Sequence, residues 1–183
     1  MTPRSAFGAS PQGGRNQRPG RAGSAVALVL ACCAALVGCA GGLVTPSSIA
    51  LGTSRADVVA RLGAPTRVVP LASGERLQYS LQPMGQYATM VDLDSAGRVV
   101  SARQVLKPSE FARIVDGQWT RADVEREFGP PARVDGVYSW GGDVLTYRWN
   151  DGSDMFFWVY LDARQIVQRT QVGMEFVNSP DRE

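Results

Sequence analysis

Apolar positions along this chain recur with two periods, and each period occurs twice. Val58 and Leu62 are four residues apart, as are Val124 and Phe128, the spacing that puts side chains on one helix face. Leu77, Tyr79 and Leu81 alternate with polar residues, as do Leu145, Tyr147 and Trp149, which is the period of a strand with one buried face. Val91-Asp-Leu-Asp94 matches Val159-Tyr-Leu-Asp162. Each then turns, through Ser95-Ala-Gly97 or Ala163-Arg-Gln165, into Val99-Val100 or Ile166-Val167. The helical segments themselves are near-copies: residues 54–68 and 120–134 lie 66 apart and share eight of fifteen positions. Two copies of so long a unit imply a duplicated small domain rather than a solenoid.

Local chemistry marks the ends of these elements. Ser54 with Asp57, and Thr120 with Asp123, have the spacing of a capping box, with the acid in the first turn where the helix dipole favours it. Gly63 and Gly129 follow as C-terminal caps, and Pro65 and Pro131 stop the helix. Pro108-Ser-Glu-Phe-Ala-Arg-Ile-Val115 predicts a further helix in the second copy, with an apolar Phe111/Ile114/Val115 face. In the first copy Pro46-Ser47 lies closer to the repeated run, so its first helix is shortened by about one turn or unformed. The fold class is therefore α+β: two tandem units, each a short helix-turn-helix packed on a sheet of three to four antiparallel strands. Units of some 65 residues bury little surface alone, so the two should pack together. The boundaries are 46–106 for the first unit and 107–174 for the second, with 175–183 a disordered tail.

The first 38 residues stand apart. Arg4, Arg15, Arg18 and Arg21 lie among Gly, Ser, Pro and Gln without an acid, followed by the apolar run from Ala25 to Val37. A positive segment before a short apolar core is a secretory signal, too short to span a bilayer. It ends in Leu36-Val37-Gly38-Cys39, which resembles the bacterial lipobox. The resemblance implies cleavage before Cys39, lipidation of its thiol and a flexible tether over 39–45. Ala40, where an aspartate would signal inner-membrane retention, implies delivery to the outer membrane, with the domain on its periplasmic face. Removing four arginines and no acids changes the balance from 19 basic against 17 acidic residues to 15 against 17, over 145 residues. The mature domain has no basic surplus for nucleic acid, no disulfide and, with Cys39 acylated, no free thiol.

Phe111, Ile114, Gly117, Thr120, Val124, Phe128, Gly129, Pro131 and Tyr147 together resemble the SmpA/OmlA (BamE-like) lipoprotein domain, and the tandem arrangement is similar to the β-lactamase inhibitor protein. The resemblance covers roughly residues 46–173. It implies a scaffold or accessory role in outer-membrane protein assembly or envelope integrity, with the β-barrel assembly machinery as partner. The second parent implies instead an inhibitor-like module that captures a secreted or periplasmic enzyme. The shortened first helix, the duplication and the missing inhibitor cysteines depart from these patterns.

Enzyme chemistry is excluded mostly by subtraction. There is no histidine, so Ser-His-Asp and Cys-His catalysis and histidine-ligated metals fall away. Asp92 and Asp94 read as an exposed hairpin edge, and Asn150-Asp-Gly-Ser-Asp154 as a hairpin turn rather than a calcium loop. No cofactor or metal is expected. Eight of the fifteen aromatics lie between Tyr138 and Tyr160. Comparing the copies sorts them. Val91 and Leu93 match Val159 and Leu161 on a buried face. The opposite face of the first copy, Ala88, Met90 and Asp92, is weakly apolar and reads as solvent-facing. In the second copy that face carries Phe156, Trp158 and Tyr160, and three outward aromatics require a cover. Either the first unit packs over them or a partner protein does. With Trp140 and Arg148 they form the candidate partner-binding set.

Overall fold

The computed structural model describes residues 48–175. The signal, Cys39 and its tether, and the tail beyond Glu175 lie outside the described residues. The chain is α+β, with two four-stranded antiparallel sheets. In order, α1 (Arg55–Leu62) precedes β1 (Arg67–Leu71), β2 (Gly74–Ser80), β3 (Ala88–Asp94) and β4 (Val99–Gln104). Then α2 (Pro108–Phe111) and α3 (Arg121–Phe128) lead into β5 (Arg133–Gly136), β6 (Asp143–Asn150), β7 (Asp154–Leu161) and β8 (Val167–Met174). Each sheet is a meander whose strands pair in chain order.

The repeated residues make repeated bonds. Ser54 and Thr120 cap α1 and α3, each hydroxyl accepting from the N–H of the Asp three residues on. At α3 the box is complete, because Asp123 also accepts from the Thr120 N–H. The glycine caps hold φ of 80° at Gly63 and 83° at Gly129, a region that favours glycine. Their carbonyls accept from Tyr79 at 3.2 Å and Tyr147 at 2.9 Å, so the strand tyrosine ties each sheet to the helix end before it. Leu77 faces Val91 across β2 and β3, and Leu145 faces Val159 across β6 and β7. These faces are buried as expected, under Val58 in the first unit and under Val124 and Phe128 in the second. The turn at Asn150 also forms as read, with its side-chain Oδ1 accepting from the Gly152 N–H.

Two expectations are corrected. The helix predicted through Val115 ends at Phe111. Gly117 turns the chain at φ 74° so that its N–H, and the Trp119 carbonyl, can bond Val167 at the start of β8. Phe111 and Ile114 still reach the core, but Val115 is exposed. The face of Ala88, Met90 and Asp92 does not meet solvent either. Ala88 and Met90 are fully buried and belong to the core cluster of the second unit, with Phe111, Phe128 and Tyr147.

The cover is α3, laid over the outer face of the first sheet. Gln78 donates to the carbonyls of Glu125 and Arg126 at 2.9 and 3.0 Å, and Arg76 donates to the Arg126 carbonyl at 3.0 Å. These satisfy last-turn carbonyls that a helix cannot bond internally. Arg76, 4% exposed, also pairs with Asp92 at 2.5 Å and Glu127 at 3.0 Å. Arg103 and Arg113 extend the network through Glu110. Asp92 is thus an interface residue rather than a hairpin edge. Asp94 caps its turn, accepting from the N–H groups of Ala96 and Arg98.

Candidate functional site

The register that aligns the sheets shows what occupies the matching face of the second one. Gln78 faces Met90 in the first sheet, where Thr146 faces Trp158 in the second; Arg76 faces Asp92, where Val144 faces Tyr160; Ser80 faces Ala88, where Arg148 faces Phe156. Where β3 presents Ala88, Met90 and Asp92 beneath α3, β7 presents Phe156, Trp158 and Tyr160. Phe156, Trp158 and Tyr160 each keep part of their surface in solvent, and none joins either core cluster. The interdomain core forms instead on the outer face of the first sheet, where Ala88 and Met90 join the cluster of the second unit.

The aromatic face has two halves. At one end Trp140, on the loop between β5 and β6, folds back to donate its indole N–H to the Leu161 carbonyl at 2.7 Å. Its ring meets Tyr160 edge-on, with centroids 5.3 Å apart. Arg169 of β8 lies 4.1 Å from the Tyr160 ring and 5.2 Å from that of Trp140, a cation held by two π faces. Tyr138, two residues before Trp140, is fully exposed.

At the other end Phe156 and Trp158 lie 5.6 Å apart, and the Trp158 ring extends over Gly173 of β8. A Cβ at Gly173 would sit 2.6 Å from that ring, so the missing side chain is what lets the indole lie flat on the sheet. Arg148 closes this end. Its Nε pairs with Glu175 at 2.9 Å, and its guanidinium donates to the carbonyls of Pro83 and Met84 in the first unit. Gln82 from the same loop bonds the Arg148 main chain, donating to its carbonyl at 2.6 Å and accepting from its N–H at 3.2 Å. Arg148 is thus tethered from both units, with little freedom left to meet a ligand. The face that remains open is Phe156 and Trp158, bounded by the cation-holding pair Trp140 and Tyr160.

Arg169, Gly173 and Gln82 escaped the sequence reading. Arg169 and Gly173 were in principle findable, since they face Tyr160 and Phe156 once β7 is paired with β8. Nothing in the sequence around Gln82 announces its role.

A concavity of about 520 Å³ runs between Arg67 and Val69 of β1 and Arg121, Glu125 and Arg126 of α3. Its arginines are already neutralised: Arg67 and Arg121 by Glu125, Arg121 also by Asp143, and Arg126 by Asp123. Among the described residues, no group of three or more His, Cys, Asp or Glu side chains is placed to hold a metal ion.

No protein-family model and no curated protein matches the chain. A solved structure of a DUF4309 family protein, YjgB from Bacillus subtilis, aligns over 67% of this chain and 79% of its own, at 19% identity and a TM-score of 0.29.

Proposed function

We propose that this chain is a non-catalytic protein-docking module, held at the periplasmic face of the outer membrane by a lipid on Cys39. It is built from two BamE-like helix-on-sheet units. The observation that carries the docking reading is the difference between the two outer sheet faces. The first is covered by α3, whereas the second bears partly exposed Phe156, Trp158 and Tyr160 at the matching positions. Aromatic rings beside an arginine are the side chains that concentrate binding energy at protein interfaces. Their rigid seat, with Trp158 on Gly173 and Tyr160 against Arg169, lowers the ordering cost on association. The absence of histidine and the lipobox-like leader support a tethered, non-enzymatic role. The partner we favour is a component of the β-barrel assembly machinery. An inhibitor-like capture of a periplasmic or secreted hydrolase is the second reading, supported by the same open aromatic sheet.

Replacing Trp158 by alanine tests this. Because the ring is only partly buried, the variant should lose no more than about 1–2 kcal/mol of folding stability. It should lose at least about tenfold in partner affinity, measured on protein solubilised from membranes with its anchor intact. A variant that melts far below the parent would make Trp158 a structural residue and defeat the reading. The co-isolated protein separates the two versions: a membrane-embedded assembly component supports the first, a soluble hydrolase the second.

A further inference from the structure

Among the described residues of the second unit, the arginines are neutralised within the chain with one exception. Arg113, Arg121, Arg126, Arg133, Arg148 and Arg164 each have a carboxylate at 3.5 Å or closer. Arg169 has no ion pair among the described residues, yet its side chain is held. The rings of Tyr160 and Trp140 lie 4.1 and 5.2 Å from its guanidinium. Each ring is fixed in turn: Trp140 donates to the Leu161 carbonyl, and the Tyr160 hydroxyl donates to Gln171 Oε1 at 3.2 Å. Ring contacts orient a guanidinium without cancelling its charge. The planar fork of N–H donors that matches a carboxylate is left unspent.

The register puts this cation on the aromatic face. Arg169 faces Tyr160 across β7 and β8, and Gln171 faces Trp158. Trp158 is two residues from Tyr160 on β7, about 7 Å along the strand, so one short segment can seat an apolar side chain on Trp158 and reach Arg169. At the opposite end of the face, Arg148 is already paired with Glu175. The face therefore offers a single unspent positive charge beside its rings. Anionic membrane surfaces are held by clusters of about four to eight basic residues. One clamped guanidinium among aromatic rings fits one carboxylate on a protein instead.

We propose that the protein docked on this face presents an aspartate or glutamate to Arg169, from a segment whose apolar side chain rests on Trp158. This rests on the docking reading above and adds to it the chemistry of the contacting segment. A cation already clamped by two fixed rings loses little further freedom when it meets its partner. The same clamp rejects a segment that brings a basic residue to this point, so Arg169 sets specificity as well as affinity.

Carbodiimide coupling, which joins a carboxylate to an amine in contact with it, tests this on the full chain in membranes. Arg169→Lys keeps the cation and supplies the amine, against a low background because Lys107 is the only lysine of the parent. The expected product is an amide between position 169 and an aspartate or glutamate of another protein, missing from the parent and lost when Trp158 is also replaced by alanine. A photo-crosslinking residue in place of Gln171 reports docking independently. Its adduct should fall about tenfold when Arg169→Glu is added. A photo-adduct at 171 without an amide at 169 overturns the acidic contact and leaves docking standing, whereas loss of both overturns the docking reading with it. An amide to a carboxylate of this same chain, a photo-adduct to phospholipid rather than protein, or an adduct undiminished by Arg169→Glu would each overturn the proposal.

Discussion

Asp123 illustrates how much one side chain carries at the junction of the units. Its carboxylate accepts from the Thr120 hydroxyl at 2.7 Å and main chain at 2.9 Å, and pairs with Arg126 at 2.7 Å. Burial acts to raise its pKa, but these partners outweigh it and hold the group below the usual carboxylate value. A depressed folded pKa gives stability that is present above the unfolded value and lost as pH falls through the folded one. Asp123→Asn should therefore cost about 0.5–1 kcal/mol in urea unfolding at neutral pH. The difference from the parent should close below about pH 4, as the parent's own carboxylate is protonated. A difference that persists undiminished to lower pH would mean that the charge is irrelevant to the cap. Tyr147 works in the opposite direction. Burial, with Glu125 nearby, pushes its hydroxyl well above the ordinary tyrosine value, despite Arg121, and so favours the protonated form that donates to the Gly129 carbonyl.

At the scale of elements, the decisive contact is α3 on the first sheet, and it was not legible in the sequence. Arg76, Gln78 and Asp92 are polar, and Ala88 is small, so the face reads as solvent-exposed. It is buried because its polar groups meet the helix's unbonded carbonyls and an alternating set of charges. Single-residue hydropathy cannot see partners that arrive 50 residues later. What was legible is what local chemistry determines: the serine and threonine caps, the glycine stops, the Asn150 turn, and the alternation placing Val91 and Val159 inward. α2 fell short because its end is set by Gly117 and Trp119 bonding to β8, which is again a distant partner. Arg76 is the test of the interface. Removing it takes the two-bond partner from Asp92, which keeps only Arg103 at 3.9 Å, and the nearest cation from Glu127, so Arg76→Ala should destabilise the fold by roughly 3 kcal/mol. A loss below about 1 kcal/mol, typical of surface pairs, would show that the network is solvated.

Over the whole molecule, the fold is repeated but the interface is not. Each unit has a capped helix, a tyrosine bonded to the glycine stop and a four-stranded meander. The outer face of the first sheet is closed by the helix of the second unit, whereas among the described residues no helix lies over the matching face of the second sheet. The candidate set from sequence contained the open pair, Phe156 and Trp158, and it contained Trp140 and Tyr160. It did not foresee that Arg148 would be held by the first unit, because that depends on the loop around Gln82 arriving from another domain. Among the described residues no helix is long and apolar enough to cross a membrane.

We propose that the aromatic face of the second sheet docks another protein. A photo-crosslinking residue in place of Gln171, which faces Trp158 across β7 and β8, tests it most directly in intact cells, with Arg61 on the exposed side of α1 as the control position. The expected result is an adduct between position 171 and an envelope protein other than this chain, no such adduct from position 61, and loss of the adduct when Trp158 is replaced by alanine. No heterologous adduct from position 171, or one that survives loss of Trp158, would contradict it.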